Sequence, residues 1–126
     1  MRGLLDTSVF VAREQNRPLD GLPDEGAISV ITLAELHLGV LLADGTSVRA
    51  RRLRTVGRVE RMFDPLPVDD VVARIFAEIV AEARRGGRRP KIMDTFIAAT
   101  GIAHGLPVFT QDADFDVIPQ VDVVRV

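Results

Sequence analysis

The residues of this chain with the clearest chemical potential are carboxylates. Asp6 ends the apolar run Gly3-Leu4-Leu5, and Glu35 closes Thr32-Leu33-Ala34-Glu35. Asp94 opens Asp94-Thr95-Phe96-Ile97, and Asp112 follows Phe109-Thr110-Gln111, with Asp114 just beyond it. Brought to one place, such acids repel one another and raise one another's pKa, a cost that a bound divalent cation removes. Magnesium and manganese favour hard oxygen ligands of this kind. Such an ion lowers the pKa of a bound water and stabilises charge on a phosphate undergoing in-line displacement. The chemistry in view is therefore displacement at a phosphate. The ion would be held by Asp6 and Asp94, with Glu35 or Asp112 reaching it directly or through water.

Each acid also has a purely structural use. Asp6 and Asp94 stand where helix N-caps are expected, Glu35 completes a capping box with Thr32, and Asp112 and Asp114 suit a turn. Other chemistries lack their residues. There is no cysteine, which excludes disulfides, thiol nucleophiles and thiolate zinc sites. His37 and His104 are too far apart for a HExxH zinc motif. No glycine-rich phosphate loop follows the first apolar run, and no nucleophile-elbow serine is present. Asp112, Asp114 and Asp116 mimic the start of a calcium loop, but Val117 and Val123 stand where it needs Gly and Glu. An aspartyl-phosphate phosphatase would want an acid at position 8, which is serine.

For the four acids to meet, the chain must carry them to one edge of one structure. Residues 3–5 predict a buried strand, and Asp6-Thr7-Ser8 caps a short helix through Val11. Pro18, Gly21, Pro23 and Gly26 mark a loop. Residues 27–30 predict a second strand. Thr32 then starts an apolar-rich helix that runs to about Ala43 and stops at Asp44-Gly45. The spacing predicts helices over 47–62, from Asp69-Asp70 to Gly86-Gly87, and from Asp94 to Gly105. Short strands are expected at 66–68, limited by Pro67, at 106–110, and at 121–126. Short apolar strands alternating with helices point to one domain over 1–126. Its fold class is α/β, a three-layer α/β/α sandwich on a mainly parallel sheet. In such folds sites lie at the carboxyl ends of strands, where Asp6 and Asp112 project and where the helices bearing Glu35 and Asp94 begin.

Composition agrees with a folded chain. It has 126 residues, 47% of them hydrophobic, and a formal net charge of −2. Arginines cluster between Arg49 and Arg61, and basic residues again between Arg84 and Lys91, the one lysine of the chain. Either cluster is a solvated helix face or a contact for a polyanion. No apolar run approaches the roughly 20 residues needed to cross a membrane, and no signal peptide is evident, so a cytoplasmic location is expected.

Four segments together resemble the successive motifs of PIN-domain nucleases: Leu4-Leu5-Asp6-Thr7-Ser8-Val9, Thr32-Leu33-Ala34-Glu35-Leu36, Met93-Asp94-Thr95-Phe96-Ile97-Ala98-Ala99 and Phe109-Thr110-Gln111-Asp112-Ala113-Asp114-Phe115. More narrowly they resemble the VapC toxins of type II toxin–antitoxin modules. The resemblance implies the PIN α/β/α fold, an RNA substrate, magnesium or manganese as the cation, and a small antitoxin partner that binds operator DNA. Carried over by motif, Asp6 and Asp94 match the main metal ligands, Glu35 the third acid and Asp112 the fourth, with Asp114 a second candidate for that place. Thr110 matches a hydroxyl residue supporting the acidic edge.

The implied activity is endoribonucleolytic, leaving a 5′-phosphate and a 3′-hydroxyl, with arginines on the RNA backbone. Two other classes compete with it. A receiver-like signalling domain would also bind magnesium at a sheet edge but would want a lysine on a late strand, and Lys91 precedes a helix. A PIN-like module without activity would bind a partner only. Leu36, Leu38, Val40, Leu41 and Leu42 exceed what one buried helix face needs. They are either core, or in part a surface for a partner helix or a homodimer.

Overall fold

A computed structural model describes residues 1–126. Its sheet starts from β1 (Arg2–Leu5), where side chains alternate between two apolar faces. Leu4 enters one core with Val72, Ile79, Ile97, Val108 and Phe115, and Leu5 enters a second with Phe10, Ile28, Leu36, Val56 and Phe109. The third strand, β3 (Val108–Thr110), repeats the alternation with Val108 and Phe109. A strand apolar on both faces is stable only when covered on both, which is why the sheet lies between two helical layers.

The remaining elements are α1 (Thr7–Glu14), β2 (Glu25–Ala27), α2 (Val30–Leu41), α3 (Thr46–Met62), α4 (Asp70–Arg85), α5 (Ile92–Ala103), a 3-10 turn (Ala113–Val117) and β4 (Val123–Arg125). The strand order is β2-β1-β3-β4, and every pairing is parallel. One layer is α1, α2 and α3; the other is α4, α5 and the 3-10 turn, with Phe76 stacked on Phe96 at a 3.9 Å centroid distance across the α4–α5 seam. The expected three-layer α/β/α sandwich is thus present. Gly3 makes the sheet's centre possible. A Cβ there would lie 2.1 Å from Cε1 of Phe109, a ring only 1% exposed.

Several boundaries differ from the sequence expectation. The second strand lies at Glu25–Ala27, not 27–30, because Ser29 leaves the sheet to cap α2, its hydroxyl accepting from the Ile31 amide at 3.0 Å. The cap of α2 is therefore Ser29 and not Thr32; Thr32 is fully buried, and there is no Thr32–Glu35 capping box. Residues 66–68 form only one bridge, Ser29 with Leu66, consistent with the two prolines that flank Leu66. Helix α5 begins at Ile92 with Lys91 at the cap position, so Asp94 sits inside the first turn and caps nothing. The last two strands are shorter than expected, at 108–110 and 123–125, since the β3–β4 register starts with Val108 opposite Val123. The apolar stretch of α2 is divided. Leu36 and Val40 are buried, whereas Leu38, Leu41 and Leu42 are 51%, 74% and 69% exposed.

Candidate active site

β1 and β3 run side by side and end together, so the residues that follow them emerge at one edge. Asp6 follows β1, is 3% exposed, and caps α1 by accepting from the Ser8 amide. Its Oδ2 also accepts from the Thr110 hydroxyl at 2.9 Å. That hydroxyl accepts from the Asp112 amide at 2.9 Å, and its one proton is already given to Asp6. Ser8 Oγ, 3.1 Å away, must therefore donate to it, while itself accepting from the Gln111 amide at 2.9 Å. A directed hydroxyl chain thus runs from Gln111 through Ser8 and Thr110 to Asp6, fastening the loop after β3 to the start of α1. Thr110 thus bonds both Asp6 and the backbone of Asp112. Ser8 and Gln111 escaped the sequence reading because their partners lie about a hundred positions away in the chain.

Glu35 reaches the same edge from the second turn of α2. Its Oε1 accepts from Thr7 Oγ1 at 2.6 Å, and Thr7 Oγ1 also lies 3.3 Å from the hydroxyl of buried Thr32. Thr7 and Thr32, read from sequence only as capping residues, therefore orient the acid. Asp94 comes from α5; it is 7% exposed, and its Oδ2 is buried with no hydrogen-bond partner. Asp112 caps the 3-10 turn through the Asp114 amide, and Asp114 Oδ2 pairs with Lys91 Nζ at 2.5 Å. One oxygen from each of Asp94, Asp112 and Asp114 lies within 4.8 Å of the others. Asp6 and Glu35 lie outside that tight group, but their charges act on Asp94.

The electrostatics reflect crowding. Burial, and then the charges of Asp6, Asp112 and Glu35, push Asp94 up to about 7. Glu35 is raised by burial and by Asp6 and Asp112, against the Thr7 hydrogen bond that lowers it. Burial also raises Asp6, offset by the hydrogen bonds from Ser8 and Thr110. Lys91 is raised, chiefly by its contact with Asp114. A buried, unpartnered carboxylate oxygen costs free energy that a cation would remove. The donor set is all oxygen, and the mutual spacing suits oxygens sharing one ion. The residues present therefore fit a hard divalent cation such as magnesium or manganese.

Comparison with known proteins bears on what such a site belongs to. A family model described as PIN domain matches residues 3–121. This chain is a member of the PIN domain family. Within it, the chain falls in the VapC group. It is 47% identical to Ribonuclease VapC5 of Mycobacterium tuberculosis, over 98% of this chain and 95% of that protein. It is 42% identical to Ribonuclease VapC4 of the same organism, over 99% and 97%. Among solved structures, this PIN domain superposes on the Mycobacterium tuberculosis toxin–antitoxin protein VapBC-5 with a TM-score of 0.90 at 45% identity, covering 99% of this chain and 98% of that one. It superposes on a DNA-bound VapBC from Salmonella typhimurium with a TM-score of 0.83 at 26% identity, over 99% and 98%. The receiver-like alternative is set aside by these matches, and Lys91 sits at a helix start instead of on a strand.

Proposed function

We propose that this chain is the toxin of a type II toxin–antitoxin pair, an endoribonuclease that hydrolyses RNA phosphodiesters with a divalent cation, magnesium or manganese. The observation that carries the reading is Asp94, whose Oδ2 is buried without a partner among Asp6, Glu35 and Asp112. A bound cation would supply an activated water and charge stabilisation at the phosphate. The residues that would hold it are Asp6, Asp94 and Asp112, with Asp114 at the rim and Glu35 reaching it directly or through water. Asp6 is held in place by Thr110 and Ser8. Glu35, oriented by Thr7, is a carboxylate able to accept the proton of an attacking water, and Asp112 is the other. Arginines of α3, Arg49 to Arg61, offer point contacts for the RNA backbone without reading sequence.

The relatives' names support the ribonuclease, and the solved VapBC structures support an antitoxin as partner. Exposed Leu38 and Leu41 of α2, with Leu42 at its C-cap, give an apolar surface of the kind a partner helix or a second copy would cover. No helix is long and apolar enough to cross a membrane. We read residues 1–126 as one nuclease domain acting on cytoplasmic RNA, because both cores share the single sheet.

The test is cleavage of total RNA by the purified chain, free of antitoxin, with magnesium and with EDTA, beside Asp6→Asn and Asp94→Asn. Cleavage by wild type with magnesium alone is expected. Metal-independent cleavage, or variants as active as wild type, would sink the metal mechanism. No cleavage of any RNA would favour a module that only binds a partner.

A further inference from the structure

Lys91 is the one lysine of the chain, and its ammonium sits at the acidic edge. It is 2.5 Å from Asp114 Oδ2, and Asp114 belongs to the group of three acids whose oxygens lie within 4.8 Å of one another. Lys91 is also the one cation whose charge registers on both Glu35 and Asp94. Its backbone is fixed, because its carbonyl accepts from the Thr95 amide at 3.0 Å and from the Thr95 hydroxyl at 2.7 Å. Its side chain is free to move, being 71% exposed with Asp114 as its one ion-pair partner. A fixed base, a long flexible stem and a strongly hydrated point charge make a group able to leave a carboxylate when a stronger cation arrives.

We propose that Lys91 is a tethered counter-ion of this site, exchanging with the divalent metal on Asp114. In the metal-free protein the ammonium offsets part of the repulsion among Asp94, Asp112 and Asp114. When metal is bound, the carboxylate of Asp114 turns to the ion and the ammonium is released from it. Lys91 is thus a positioning residue that sets the metal affinity of the site from outside the ligand set. The inference rests on the metal reading above but not on RNA cleavage.

The coupling is reciprocal: if Lys91 weakens metal binding, metal must loosen Lys91. Both halves are measurable in the full-length chain. Manganese binding, followed by electron paramagnetic resonance of the free ion, should tighten roughly three- to tenfold in Lys91→Met, as expected when one nearby like charge is lost under partial solvent screening. Lys91→Arg should keep the wild-type affinity to within about twofold, because the charge is retained. Without metal Lys91→Met should melt below wild type, and at saturating magnesium the gap should close. Isotope-labelled lysine gives a single side-chain resonance, since there is one lysine. That signal should move with magnesium along the metal-binding curve, and Asp114→Asn should bring it to the same position without metal.

Unchanged or weaker manganese binding in Lys91→Met would overturn the exchange, as would a lysine resonance indifferent to saturating magnesium. Mere loosening of the fold by Lys91→Met would weaken metal binding and so moves the readout the opposite way. Absence of manganese binding by wild type overturns the exchange together with the metal reading. Binding without the Lys91 effects overturns the exchange alone.

Discussion

Thr110 is a single hydroxyl that organises both ends of the site. It donates to Asp6 and accepts from the Asp112 amide, so it sets the distance between the acid that follows β1 and an acid of the loop after β3. Thr110→Val removes both of these bonds and the one from Ser8 at constant shape, and cleavage should fall about 10- to 100-fold, as for other groups that orient metal ligands. A kinetic comparison at saturating magnesium checks this, and unaltered turnover would mean the chain of hydroxyls is only scaffolding. Asp6→Asn and Asp94→Asn should lose on the order of 10²–10³-fold or more, the scale of losing a main electrostatic stabiliser. Asp94 has a second consequence, on stability. In the metal-free fold it keeps its proton up to about pH 7, against an ordinary 3.8. Between those values the folded state binds more protons than the unfolded one, so stability falls as pH rises through that window. The raised pKa values of Glu35 and Asp6 act in the same direction. The melting temperature in EDTA should therefore be lower at pH 8 than at pH 5, and Asp94→Asn should flatten the difference. A melting temperature that climbs over the same interval would contradict this assignment.

At the scale of elements, the site depends on where α2 and β1 begin and how closely they approach. Ser29 stops β2 and starts α2, which puts Glu35 in the second turn, facing Thr7. Ser29→Ala should cost about 1 kcal/mol, the usual value of an N-cap hydroxyl, read from urea unfolding. Gly3 has a stricter role. A methyl group there meets Phe109 at 2.1 Å, and that ring is enclosed in the core of α1, α2 and α3. Gly3→Ala should cost about 1–3 kcal/mol through overpacking. It should also lower cleavage, since β1 and β3 deliver Asp6 and Asp112. Wild-type stability in Gly3→Ala would show that the sheet can part there without penalty.

For the molecule as a whole, the division of α2 between core and surface separates folding from association. Leu36 and Val40 hold the helix to the sheet, while Leu41 and Leu42 point away from it. Replacing Leu41 and Leu42 by serine should therefore change folding stability by no more than about 0.5 kcal/mol each. The same change should weaken capture of the cognate antitoxin in a calorimetric titration. A large loss of stability would place these leucines in the core after all. Full antitoxin affinity would move the partner elsewhere on the surface.

The apolar runs at Leu4-Leu5 and Val108-Phe109 were legible as buried parallel strands because a strand covered on both faces needs apolar residues at successive positions. From them followed the three layers, the edge at which Asp6 and Asp112 emerge, and the choice of acids. Element ends were less legible. Ser29 and Thr32 are both plausible caps by type, and only the packing of Thr32 beneath Thr7 decides between them. By residue type Asp94 was the expected opener of α5, and only the fold puts it inside the first turn with an unpartnered oxygen. By sequence Asp112 was the fourth acid and Asp114 a second candidate for its place. The structure brings both to Asp94 and binds Lys91 to one of them. The acids and the strands could be named from residue type and local period, whereas the hydroxyl chain and the lysine join residues distant in sequence, and contacts of that kind exist only once the sheet has closed.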